Sequence, residues 1–179
     1  ASGHAGFTMD APHSRRGAAA RLVLAALLGT AGIGASAATQ GPAAPDFALA
    51  STAGSNYRLS EYRGEVVALV FWASWCGDCR RELERFERLR RTYGSVGFTV
   101  LGVNLDTEPE RAAALAGAAG IGYPVLLDAG KEVSRTYRAD DLPLIVLIDR
   151  NGAIRARHAA FDERDEGGLL VNLRDLIDE

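Results

Sequence analysis

Two thiols separated by two residues sit where an apolar run meets an amphipathic one. Residues 71–86 read FWASWCGDCRRELERF, and Cys76 and Cys79 are the only cysteines of the chain. Such a pair serves metal ligation, a structural crosslink or reversible dithiol–disulfide exchange. Structural zinc takes four ligands, usually cysteines and histidines. His158 is the one histidine after residue 37, so carboxylates would have to complete the set. Copper is softer and accepts two thiolates. The plain reading of His158 is a surface strand residue. A disulfide across so short a loop removes little entropy from the unfolded chain and stabilises poorly.

Exchange chemistry fits the placement best. Cys76 follows a strand-like run and opens a helix-like one. A helix N-terminus presents unpaired N–H groups and a partial positive charge, and both favour a thiolate. A thiol of lowered pKa is the attacking sulfur. That role falls to Cys76, and Cys79, about one turn further in, would resolve the mixed disulfide.

The flanking elements alternate. Residues 65–73, EVVALVFWA, form a continuous apolar run rich in β-branched and aromatic residues, as expected of a strand buried on both faces. Leu83, Phe86, Leu89 and Tyr93 fall at helical spacing and predict a helix over 77–93. Strands are expected at 98–105, 125–127, 144–148 and 153–159, and helices at 108–119, 131–137 and 163–177. STAGSN, residues 51–56, reads as a hairpin turn between two short strands. Asn151-Gly152 predicts an antiparallel hairpin near the end. The pattern is an α/β fold with a central mixed sheet flanked by helices and an N-terminal β-hairpin extension.

Bulk composition is that of a globular protein. The 179 residues are 47% hydrophobic and 24% charged, with a net charge of −3. Basic residues are not massed on one segment, which argues against a nucleic-acid partner. Residues 1–8 read as an added leader before Met9, the sole methionine. Residues 9–37 carry a basic start (Arg15, Arg16, Arg21), an apolar stretch from Leu22 and the small-residue site Ala35-Ser36-Ala37, the pattern of a secretory signal. The alternative is an uncleaved anchor, although the 17 residues from Leu22 to Ala38 include glycines, Thr30 and Ser36 and are marginal for ~30 Å of hydrocarbon. Arg15, Arg16, Arg21 and Asp10 precede Ala38, so of 20 basic and 23 acidic residues the remainder carries a net charge near −5. Residues 38–44 read as a linker and 45–179 as one domain, periplasmic or otherwise extracytoplasmic, soluble after cleavage or held by the anchor.

In combination, "APDFALASTAGSNYRLSEYRGEVVALVFWASWC", "LGVNLD", "YPVLLD" and "DDLPLIVLIDRNGAI" resemble the TlpA/ResA-like exported thiol–disulfide oxidoreductases of thioredoxin-like fold. The resemblance covers about residues 44–178. It implies that Cys76 and Cys79 are catalytic, with no cofactor beyond their redox-active disulfide. It implies that Pro143 is a cis-proline facing that disulfide and that Leu142 presents backbone to a partner. Trp75 flanks the site, and Gly77 and Asp78 shape it. Trp72 reads as a core aromatic. The implied partners are a protein with a disulfide or thiol pair, such as clients of cytochrome c maturation or copper-site assembly, and a membrane thiol-reducing electron carrier. A monomer is expected.

The chain departs from its relatives in three places. Gly77-Asp78 lacks the usual proline. The Asp78 charge, worth ~0.7–3 kcal/mol at ~6 Å, would raise the thiol pKa and bias the pair toward a reductant. Glu84 replaces a helix-kinking proline and is expected to pair with Arg88, as Glu87 with Arg91, on a solvated face. Val70 replaces a buried aspartate, so a proton acceptor for Cys79 would come from elsewhere, with Asp106 and Glu108 as candidates. The alternatives are a disulfide-donating thiol oxidase, which Asp78 argues against, and a copper chaperone using the reduced pair. Copper-delivery relatives, however, use a wider CxxxC spacing. A peroxidase is disfavoured because no threonine–proline framework precedes Cys76.

Overall fold

The computed structural model describes residues 41–159 and 166–179. The leader, the signal-like segment and residues 38–40 of the linker lie outside the described residues. Among the described residues no helix is long and apolar enough to cross a membrane.

β1 (Ala48–Ala50) and β2 (Asn56–Arg58) pair antiparallel, with Ala48 opposite Arg58, and form the expected hairpin. β3 (Val66–Trp72) is buried at every residue. α1 (Cys79–Tyr93) follows, then β4 (Phe98–Asn104), α2 (Pro109–Ala118), β5 (Val125–Leu127), α3 (Glu132–Thr136), β6 (Leu144–Ile148), β7 (Ile154–Ala159) and α4 (Glu166–Asp178). The expected start of the last helix at residue 163 lies outside the described residues. The main sheet runs β5-β4-β3-β6-β7. β3, β4 and β5 are parallel, and β6 and β7 are antiparallel to their neighbours. This is a thioredoxin-like mixed sheet.

The unbroken apolar character of β3 follows from coverage on both faces. Val66, Ala68, Val70 and Trp72 share one core with Leu83 and Phe86 of α1, Ala112 of α2 and Leu173 of α4. Val67, Leu69 and Phe71 share the other with Phe47, Leu59, Val133 and Tyr137. Alternate side chains of a strand point to opposite faces, so both sets must be apolar. The hairpin between β6 and β7 turns at Gly152, whose φ of 82° lies where glycine is tolerated and most residues are strained. Residues assigned to the linker by composition reach this hairpin. Ala44 N–H donates to Gly152 O, and Ile154 N–H to Pro42 O, both at 2.9 Å.

Two local expectations are corrected. α1 begins at Cys79 rather than Gly77, because Gly77 and Asp78 form the turn that leads into it. Glu84 pairs backward with Arg80 at 3.0 Å rather than forward with Arg88. Glu87 does pair with Arg91 at 2.8 Å, yet it is only 4% exposed. Its carboxylate also binds Arg90 and accepts the Gly122 N–H at 2.9 Å. One edge of this charged helix is therefore tied to the loop before β5, Glu82 and Arg85 are buried as well, and the solvated face is left to residues such as Arg80, Arg81 and Arg88.

Candidate active site

The site is built where the two central elements end. Trp72 closes β3, and its carbonyl accepts the Leu105 N–H at 2.9 Å just past β4. The chain then turns through Ala73–Asp78, with Cys76 N–H on Ala73 O at 3.2 Å. Cys76 and Cys79 are joined as a disulfide, with Cα atoms 5.4 Å apart. Cys76 is half-buried and Cys79 fully buried against α1's own core. A partner sulfur therefore reaches Cys76 first.

Antiparallel pairing of β3 with β6 sets Phe71 opposite Leu144. The residues before β6 thus lie beside the chain that leads into Cys76. The Leu142–Pro143 peptide is cis. Leu142 is half-buried and lines a groove of about 200 Å³ together with Trp75, Leu105 and Ala139. Trp75 is 64% exposed, rare for so large an aromatic. Trp72, by contrast, is wholly buried in the core. A second cavity of about 380 Å³ lies between β1 and α3, around Asp46 and Tyr137. None of the expected site residues lines it, whereas Trp75, next to Cys76 in sequence, and Leu142, next to Pro143, line the smaller groove.

Asp78 is exposed and pairs with Arg81 one turn along α1. The guanidinium balances the carboxylate locally, which weakens the action of Asp78 on the thiols. Both side chains are more than half exposed, where water and salt screen such charges.

The two candidate proton acceptors separate. Glu108 is an exposed acid at the start of α2, paired with Arg111 at 2.8 Å. Asp106 is 4% exposed, and its carboxylate is committed. Oδ2 accepts the Ser74 N–H at 2.9 Å and the Asn104 side-chain amide at 2.8 Å, and Oδ1 accepts the Ser74 hydroxyl at 2.9 Å. Its contacts are those of a residue that holds the Ser74 turn.

The residue missed by sequence reasoning is Glu82. It is 2% exposed and lies three residues after Cys79 on α1, with Arg85 at 3.5 Å. Residues three apart share a helix face. Its signal was available: an acid beside Leu83 and Phe86 on the arc that Cys79 occupies. Among the described residues no group of three or more His, Cys, Asp or Glu side chains converges as a metal set would. His158 lies on β7, its ring Nε2 3.4 Å from the side-chain amide of Asn172 on α4.

Comparison with known proteins finds relatives named for thiol–disulfide chemistry. A family model described as the AhpC/TSA family matches residues 40–157. The thiol-disulfide oxidoreductase ResA of Geobacillus kaustophilus (strain HTA426) is 36% identical over 115 residues, and the match spans 64% of this chain and 66% of that relative's length. The thioredoxin-like protein YneN of Bacillus subtilis (strain 168) is 30% identical over 130 residues, 71% of this chain and 75% of YneN. A crystal structure of a candidate thiol:disulfide interchange protein DsbE from Chlorobium tepidum superposes with a TM-score of 0.73 at 34% identity, covering 77% of this chain and 97% of that one. The exposed lipoprotein thioredoxin Etrx1 of Streptococcus pneumoniae strain TIGR4 superposes with a TM-score of 0.60 at 32% identity, covering 74% and 100%.

Proposed function

The chain belongs to the AhpC/TSA family of thioredoxin-like proteins, and from that premise we propose that it is an extracytoplasmic thiol–disulfide oxidoreductase that reduces protein disulfides through Cys76 and Cys79. The observation that carries the reading is the asymmetry of the pair: Cys76 is accessible beside the exposed Trp75, and Cys79 is buried directly behind it.

In the reduced protein the Cys76 thiolate attacks one sulfur of a client disulfide. The client's other sulfur leaves as a thiolate, which takes a proton from water. A mixed disulfide now joins Cys76 to the client. The Cys79 thiolate attacks the Cys76 sulfur, expels the client's remaining thiolate and closes the Cys76–Cys79 disulfide. Two electrons have passed from the pair to the client. A membrane thiol-reducing carrier then resets the pair by the same exchange in reverse order. Trp75, Leu142 and Pro143 receive the client, and Gly77 and Asp78 shape the turn between the cysteines. The clients are cysteine pairs of apocytochrome c or of copper-site assembly proteins, as the family resemblance implies. Export rests on the basic, apolar and small-residue pattern of residues 9–37.

Equilibration in graded thiol buffers with thiol trapping tests this. A potential below about −220 mV supports a reductant. A value near −120 mV makes the protein a disulfide donor instead. A pair that shows no reversible transition ends the oxidoreductase reading.

A further inference from the structure

The groove lined by Trp75, the sequence neighbour of Cys76, is chemically lopsided. Its floor is apolar, formed by Trp75, Leu105 and Leu142. Its α3 rim carries Lys131 and Arg135, four residues apart and both exposed. Among the described residues no carboxylate lies in ion-pair contact with either. Arg135 instead donates to the Gly130 carbonyl at 2.8 Å, which draws its guanidinium back toward Lys131. Among the described residues eight other arginines find a carboxylate, Arg58, Arg80, Arg81, Arg85, Arg90, Arg91, Arg111 and Arg155. The one acid lining the groove is Asp140, close in sequence to the cis Leu142–Pro143 peptide.

We infer that this groove selects client disulfides whose cysteine is flanked by an acidic residue. An apolar client side chain covers Trp75 and Leu142, and a client carboxylate meets the Lys131 ammonium and the Arg135 guanidinium. Asp140 opposes acid at its own end, so the preference is positional and does not track client net charge alone. The inference names the client class for the exchange reaction proposed above and rests on that reading. Complementary charge of this kind acts mainly on encounter and partner choice, and it weakens with salt.

The test uses the reduced protein and six peptides of one apolar sequence, each holding a single cysteine as a mixed disulfide with 2-mercaptoethanol. Glu, Gln or Lys stands two residues from that cysteine, on one side and then on the other. Second-order rate constants are compared with that for hydroxyethyl disulfide, a neutral substrate. For one placement the Glu peptide is expected to react about five- to tenfold faster than the Lys peptide at low salt, and the ratio should collapse toward one at high salt. In a protein carrying K131E and R135E the ratio should invert. Equal rates for Glu and Lys peptides, with hydroxyethyl disulfide reduced normally, would overturn the inference and leave the exchange reading standing. A ratio unchanged by K131E and R135E would overturn it as well. Failure to reduce hydroxyethyl disulfide would sink both.

Discussion

Asp106 grips Ser74 at two points, the backbone N–H and the hydroxyl, each at 2.9 Å, across 32 residues of sequence. This joins the end of β4 to the turn that carries Cys76. The carboxylate is itself held by the Asn104 amide at 2.8 Å. Asp106→Ala removes all three acceptor contacts and is expected to cost about 2–3 kcal/mol and to slow attack by Cys76. Asp106→Asn can keep its oxygen toward the Ser74 N–H and turn its amide toward the hydroxyl, so its cost should be smaller. Denaturant midpoints and the rate of Cys76 alkylation are the measurements. If both variants are equally slow and equally stable, the charge of Asp106 matters rather than its grip on Ser74.

Glu82 tests whether a buried acid serves Cys79. Glu82→Gln preserves shape and removes the charge. If the carboxylate moves a proton for Cys79, resolution of the mixed disulfide should fall on the order of 10²-fold and its pH profile should flatten. Arg85 loses its contact with the Glu82 carboxylate in the same variant, so unfolding must be read alongside. A destabilised protein with an unaltered pH profile would leave Glu82 a structural residue of α1.

Trp75 separates binding from folding. Its side chain is mostly in water, so Trp75→Ala should change stability by no more than about 0.5 kcal/mol. It should still slow exchange with peptide disulfides more than with small neutral ones, because it removes much of the groove's apolar floor. Equal slowing of both would show that Trp75 acts on the sulfur chemistry itself.

Glu87 sets an acid limit on stability. The Arg90 guanidinium beside it, with the Gly122 N–H and Arg91, draws its pKa from 4.5 down to about 2. The unfolded chain therefore binds the proton more readily than the folded one. The contribution is complete above about pH 4.5 and is lost as pH falls toward 2, and the shift corresponds to about 3 kcal/mol. Unfolding free energies at pH 7 and pH 3 should differ less in Glu87→Gln than in the parent. An identical pH dependence in the two proteins would contradict the assignment.

Local pattern by itself determined the chemistry and the order of elements. The Cys76–Cys79 spacing, the unbroken apolar run of β3 and the 3.6-residue rhythm of α1 are all written within a few residues, where backbone preference and side-chain periodicity act. The fate of charge was decided elsewhere. Asp106 binds Ser74 and Glu87 binds Gly122, partners 32 and 35 residues away that no window along the chain contains, and Glu82 is buried because other segments close over its face of α1. The same holds for the groove. Trp75, Lys131 and Leu142 become neighbours only when β3 and β6 pair and α3 packs over the opposite face of the sheet. Burial is a property of the assembled layers, so the two thiols were legible in the sequence and the surface that chooses their partner was settled by tertiary packing.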